Sequence, residues 1–183
     1  MKQKKGLISL LAVLLVLAVV YVALRSYNAS REEEEQAKAE AETIQVVDIE
    51  NPAEITYSSS DGSSVSLVKK DDVWRLKDDD QTDLVQDTIE KIADTVSNVK
   101  AERQIKDPDS LESYGLTDPA YTITVAGEDG TVKTIYIGDG ADADYYMTDE
   151  EKTNVYTVSS DLPNVLEFNT DNLKETENSS DSE

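Results

Sequence analysis

Nineteen consecutive residues without a charge, "GLISLLAVLLVLAVVYVAL" from Gly6 to Leu24, constrain this chain more than any other feature. As a helix rising 1.5 Å per residue, that run spans about 28 Å, close to the hydrocarbon thickness of a bilayer. A cleaved signal peptide has an apolar region of only about 7 to 15 residues and ends in a small-x-small site, whereas this run closes in "YVALRS". Lys2, Lys4 and Lys5 precede it. The expectation is a single-pass anchor in the cell membrane: residues 1–5 form a basic cytoplasmic N-terminus, residues 6–24 cross the bilayer, and the C-terminal body is extracytoplasmic. The lipid bilayer is then the first partner, through residues 6–24.

Two charged flanks bound what remains. Residues 25–42, "RSYNASREEEEQAKAEAE", are rich in helix formers and offer a Glu34–Lys38 pair four apart but no apolar face, which predicts a charged helical stalk or linker. Residues 169–183 carry little apolar content and are expected to form an acidic disordered tail. Residues 43–168 between them have the length of one domain.

Composition limits the chemistry. All 39 acidic residues follow Arg25, the chain has 17 basic residues, and the formal net charge is −22. No basic stretch is available to neutralise phosphates, which argues against nucleic acid as a partner. The chain has no cysteine and no histidine. Disulfides and thiolate nucleophiles are therefore excluded, and the usual zinc ligands and the commonest general base are missing.

Alternation dominates the body. "TIQVVDI" predicts a strand, and "AEITYSSSDGSSVSLVKK" a hairpin that sets Ile55 and Tyr57 opposite Val65 and Leu67 across an Asp61-Gly62 turn. "DVWRL" predicts a third strand with Trp74, the only tryptophan, as a core plug. Val85, Ile89, Ile92, Val96 and Val99 recur at helical spacing, predicting one long amphipathic helix over 83–99, with Asp83 and Gln86 as a cap pair. In "DPDSLESYGLTDPAYTITV", Asp107 and Pro108 open a short helix, Gly115 ends it in the left-handed conformation, Leu116 closes back on Leu111, and Pro119 prevents it resuming. A strand from Tyr121 then returns through "GEDG" into "TVKTIYIG", followed by short strands at "ADYYMT" and "NVYTVS" and a helical turn at "LPNVLEF".

The order of these pieces, the Trp74 strand, the helix, Tyr114-Gly115-Leu116 with Pro119, the strand ending at Gly138, then "YYM" and "VYTV", resembles an uncharacterised family of bacterial membrane-anchored extracytoplasmic proteins whose domain has no assigned function. The resemblance covers roughly residues 44–168. It implies a structural role for Trp74, Tyr114, Gly115, Leu116, Pro119 and Gly138, no catalytic residues, and an association of some relatives with auxiliary components of ABC-transporter or gliding-motility-type systems. In that family the unit is often repeated, and this chain has one.

Candidate chemistry is sparse. "GDGADA" matches a dinucleotide loop in letters, but its aspartates would face the pyrophosphate and no helix follows. Asp139, Asp142 and Asp144, near Asp149, Glu150 and Glu151, are calcium candidates by their oxygen donors, although their order departs from a calcium-binding helix-loop-helix. Ser66 and Ser97 fit S-x-x-K spacing, one in a strand and one near a helix end, without companion motifs. No cofactor is expected. The sequence thus predicts an α+β domain, antiparallel β meanders packed against one long amphipathic helix and preceded by a transmembrane helix. The expected role is that of a non-catalytic tethered module that binds or positions a membrane or envelope partner, with a membrane protein of a transporter complex as the expected one. A calcium-dependent binding module and a carboxylate-based cell-envelope hydrolase are the alternatives.

Overall fold

In the computed structural model, residues 44–175 are described. Ten strands and one longer helix account for most of the regular structure in order: β1 (Ile44–Asp48), β2 (Pro52–Ser59), β3 (Ser64–Lys70), β4 (Val73–Leu76), the helix Gln86–Ser97, β5 (Asn98–Ala101), β6 (Arg103–Gln104), β7 (Tyr121–Gly127), β8 (Val132–Ala141), β9 (Asp144–Asp149) and β10 (Tyr156–Ser159). Eight strands form one antiparallel sheet in the order β4-β3-β2-β7-β8-β9-β10-β6, and β1 pairs with β5 in a second, two-stranded sheet.

The pairing follows the alternation. Ile55 lies opposite Leu67 and Tyr57 opposite Val65, as the hairpin pattern predicts, and the row continues from Ile55 to Val125 and from Tyr57 to Ile123 and Ile135. All of these side chains are buried on one face. A one-residue slip would turn every one of them to water, so the register is strongly specified. The helix lays Ile89, Ile92, Ala93 and Val96 on this face, where they join Trp74, Leu84 and Met147 in the main core.

The layout corrects the predicted fold class. Strands hold 45% of the structure and helical turns 18%, so the domain is mostly β, with one helix of seven or more residues and no long amphipathic or transmembrane helix among the described residues. Of the five-residue stripe only Ile89, Ile92 and Val96 are helical: Val85 precedes the first turn, and Val99 lies in a strand whose burial alternates exposed, buried, exposed, buried. Helical spacing and strand alternation coincide at Val96–Val99, and pairing with β1 decides for the strand. The expected cap pair is replaced as well, because no side chain caps the helix start.

The single-pass placement is likewise corrected. No described helix is long and apolar enough to cross a membrane. The helix of twelve residues spans about 18 Å, and its outer face carries Asp87, Glu90, Lys91 and Asp94. The segments 1–5, 6–24 and 25–42 lie outside the described residues. At the other end the segment from Asn169, expected to be disordered, is folded as far as Glu175. Leu173 is fully buried, and its carbonyl accepts from the Val85 N–H at 2.9 Å while Glu175 N–H donates to the Asp83 carbonyl at 3.0 Å.

Candidate functional site

The Tyr114-Gly115-Leu116 segment is built as a joint. A 3₁₀ turn, Leu111–Tyr114, ends at Gly115 with φ +68°, where Gly115 N–H donates to the Glu112 carbonyl at 3.2 Å and Leu116 N–H to the Leu111 carbonyl at 2.9 Å. The turn starts later than predicted, since Asp107 itself takes φ +50° and Ser110 precedes the first turn. Gly115 rests on β8, where the register shifts between Ile137 and Gly140. A methyl group at Gly138 would stand 2.1 Å from the Tyr114 carbonyl oxygen, and one at Gly115 2.6 Å from the Asp139 carboxylate. The Tyr114 ring meets Tyr146 edge-on at 4.8 Å. Tyr146 alternates with the buried Met147, so the joint covers the sheet face opposite the main core. Leu116, fully buried yet outside the main core cluster, fits that position, and Pro119 leads directly into β7. Trp74, 2% exposed, belongs to the main core, so the residues singled out by the resemblance serve two separate packing sites.

The calcium candidates are dispersed in their roles. Asp139 sits in the β8 irregularity, Asp142 occupies the β8–β9 turn with φ +59°, and Asp144 opens β9 opposite Ser159. Among the described residues no three acidic side chains are grouped as a metal ion would require. Asp144 instead stands beside Glu102, whose carboxyl is raised above its ordinary range by partial desolvation and then by the Asp144 charge. Ser66, of the first S-x-x-K, pairs its hydroxyl with Thr56 at 3.0 Å within the sheet. Ser97 is buried at the helix end.

Many remaining acids are fastened to the backbone. Asp129 accepts from the Thr131 N–H at 2.9 Å and its hydroxyl at 2.8 Å, and these bonds hold its carboxyl below the usual range. Glu150 accepts from the Thr134 N–H at 2.8 Å and is lowered by that bond and by Lys133. Asp61 is lowered by Ser59 and then by the Ser63 N–H, and Glu167 by the Asn172 amide and the Asn169 N–H. A general acid or base at neutral pH needs a carboxyl raised toward about 7, and these environments do the reverse.

The described residues also form a concavity that sequence reasoning missed. A cleft of about 580 Å³ opens between the β1–β2 connection and the β7–β8 turn, walled by Asp48, Glu50, Asn51, Glu128, Asp129 and Thr131. Its two walls are far apart in sequence and meet because Pro52 pairs with Gly127 and the Glu128 N–H donates to the Asn51 carbonyl at 3.0 Å. The only sequence signal was the acidity of the loops "DIEN" and "GEDG". Such a cleft attracts cationic groups and repels anions.

Residues 74–178, more than half of the chain, match the family described as a domain of unknown function, DUF4340. The chain belongs to this family. No curated protein and no solved structure matches it. The DUF4340 match opens at Trp74 and takes in the helix, the joint and β5–β10, while β1–β3 precede it. The two cleft walls therefore fall on either side of its start: Glu128, Asp129 and Thr131 lie inside the DUF4340 span and Asp48, Glu50 and Asn51 outside.

Proposed function

We propose that this DUF4340 chain is a non-catalytic binding module that recognises a protein partner through a basic surface on that partner and holds it in position. The observation that carries the reading is the use of its acids. The net charge is −22, yet the carboxylates with perturbed titration are mostly turned down by backbone N–H and hydroxyl donors, which keeps them ionised and fixed in place. Fixed negative charge steers association and selects complementary partners. The absence of cysteine and histidine from the whole sequence supports the same reading. The resemblance to transporter-associated relatives makes a component of a transport assembly the first partner to test.

Crosslinking in intact cells followed by mass spectrometry is expected to recover one reproducible partner with a basic patch. Its binding to the purified chain is expected to weaken steeply as salt rises from about 0.05 M to about 0.5 M, a range over which the Debye length shrinks about threefold. Recovery of no reproducible partner, or a complex indifferent to salt, overturns the reading.

A further inference from the structure

Residues 167–175 form a strap held on the domain by two apolar plugs. Leu173 is fully buried in the main core, and Phe168, partly buried, packs edge-on against Tyr57 at 5.2 Å and stacks on Tyr121 at 6.1 Å. The polar groups between the plugs bond to the strap itself: the Glu167 carboxylate accepts from the Asn169 N–H at 2.8 Å and from the Asn172 amide at 2.9 Å, and Asp171 accepts from Lys174 at 2.9 Å. Among the described residues, its bonds to the body stand at its two ends. At one, the Tyr57 hydroxyl donates to the Glu167 carbonyl at 2.6 Å. At the other, an isolated bridge sets Lys174 against Leu84, with Val85 N–H donating to the Leu173 carbonyl and Glu175 N–H to the Asp83 carbonyl. Such a unit can lift without dismantling the sheets, because its internal bonds travel with it and no described strand follows it. A cavity of about 380 Å³ already opens between Asp87, Thr88 and Lys91 on the helix and Glu167 and Asn172 on the strap.

We propose that the strap fills, in its own chain, a peptide-binding groove, and that a basic segment of a protein partner carrying an aromatic residue and a leucine at the spacing of Phe168 and Leu173 displaces it. The occupant's chemistry is read from the segment that the groove already holds. The slot beside Tyr57 and Tyr121 takes an aromatic ring, the core hole takes a leucine, and the backbone groups of Asp83 and Val85 pair with an extended chain, as in recognition by strand addition. Charge makes the strap a poor competitor for this place. It carries Glu167, Asp171 and Glu175 against Lys174, and it meets Asp83 and Asp87 of a chain with a net charge of −22. A segment with the same two plugs and lysines in place of those acids is attracted where the strap is repelled. Covalent attachment keeps the strap seated by effective concentration, and the partner's apparent affinity is reduced by the fraction of time the groove stands open. The exchange rests on the strap's own contacts, and only the basic character of the displacing segment rests on the partner reading above.

The test titrates the full chain against fluorescent synthetic peptides of residues 165–175: the native peptide, a lysine-bearing peptide with Asp171→Lys and Glu175→Lys, and a copy of the latter with Phe168→Ala and Leu173→Ala. The lysine-bearing peptide is expected to bind more tightly than the native one, and the copy without plugs is expected not to bind. The full-chain variant Phe168→Ala with Leu173→Ala, whose own strap has lost its plugs, is expected to bind the native peptide at least about tenfold more tightly than wild type does, since more of it stands open. Should that variant fail to fold, hydrogen exchange of the wild-type chain saturated with the lysine-bearing peptide decides: the Glu175 amide, on the displaced strap, is expected to lose protection, while the Val85 amide, on the body, keeps it because the peptide replaces its acceptor. Binding that ignores the plugs, a folded variant no tighter than wild type, unchanged protection at Glu175, or a dimer on gel filtration in which two copies trade straps each overturns the proposal. Equal binding of the native and lysine-bearing peptides overturns the basic character of the partner and leaves the exchange standing, so the two readings fail separately.

Discussion

Gly138 has room for a hydrogen and nothing larger on the side that faces the joint. The atom that a methyl would strike at 2.1 Å is the Tyr114 backbone carbonyl oxygen, with Gly115 backbone atoms at 3.0 and 3.1 Å, so no flexible side chain can move aside. Gly138→Ala is expected to cost about 3 kcal/mol, the upper end of the usual overpacking range, and to lower the urea midpoint without changing the slope. Gly62, in a turn with nothing within 4 Å, is the contrast: its φ of +91° disfavours a side chain, but there is no collision. Glu102 provides a pH-dependent counterpart. Its folded pKa is raised, first by desolvation and then by Asp144, so the folded state holds the proton more tightly than the unfolded chain does. The stabilisation is complete below the ordinary glutamate value of about 4.3 and is lost as pH rises through the higher folded value. Glu102→Gln is therefore expected to raise the melting temperature at about pH 7 and to leave it unchanged near pH 3.5, below that ordinary value. A melt unaltered at neutral pH would count against close contact with Asp144.

At the scale of elements, the edge of the large sheet shows how one side chain substitutes for a strand. β4 is the terminal strand, and Gln86, the first residue of the helix, pairs with it as a peptide would: Trp74 N–H donates to Gln86 Oε1 at 2.9 Å, and Gln86 Nε2 donates to the Trp74 carbonyl at 3.1 Å. Unpaired strand edges invite association. Gln86→Ala is expected to destabilise by about 1–3 kcal/mol, since it strands partly buried backbone groups, and to produce dimers or larger species on gel filtration. Gln86→Glu, which keeps the acceptor and loses the donor, is expected to fall between. The sequence marked Gln86 as polar at a helix start, and local spacing could suggest only a cap. Its partner Trp74 lies twelve residues back and reaches it through the fold. The same limit explains the helix end. Local alternation made the hairpin at Asp61-Gly62 and the strands from Tyr121 onward legible, because each is paired with a neighbour in sequence. β5 pairs instead with the distant β1, and the spacing of Ile89, Ile92 and Val96 gave no sign of where that pairing would interrupt the helix. The joint was readable from Gly115 and Pro119, whereas its docking on Gly138 and the assembly of the cleft from residues 48–51 and 128–131 depend on contacts that no local pattern encodes.

For the whole molecule, two electrostatic effects oppose each other as pH falls. A formal charge of −22 makes the folded chain repel itself, and protonation toward the isoelectric point near 4.2 relieves that repulsion. Against this, Asp61, Asp79, Asp129, Glu150 and Glu167 have lowered folded pKa values because hydroxyl, amide and backbone N–H donors bind their ionised forms. Their contribution is present above the unfolded carboxylate range of about 4 and is lost as pH drops through the depressed values, because the unfolded chain then binds more protons. The melting temperature is therefore expected to hold nearly level from about pH 8 to about pH 6, where a chain without histidine has little to titrate, to rise toward about pH 5, and to fall again below about pH 4. Salt separates the two limbs. Long-range repulsion is screened once the Debye length drops from about 30 Å at 0.01 M to about 3 Å at 1 M, so added salt should raise the melting temperature on the alkaline side and flatten the first limb. The second limb rests on hydrogen bonds at contact distance and should survive. A melting temperature that falls steadily as the solution is acidified, or that ignores salt at the alkaline end, would show that self-repulsion does not govern the stability of this acidic domain.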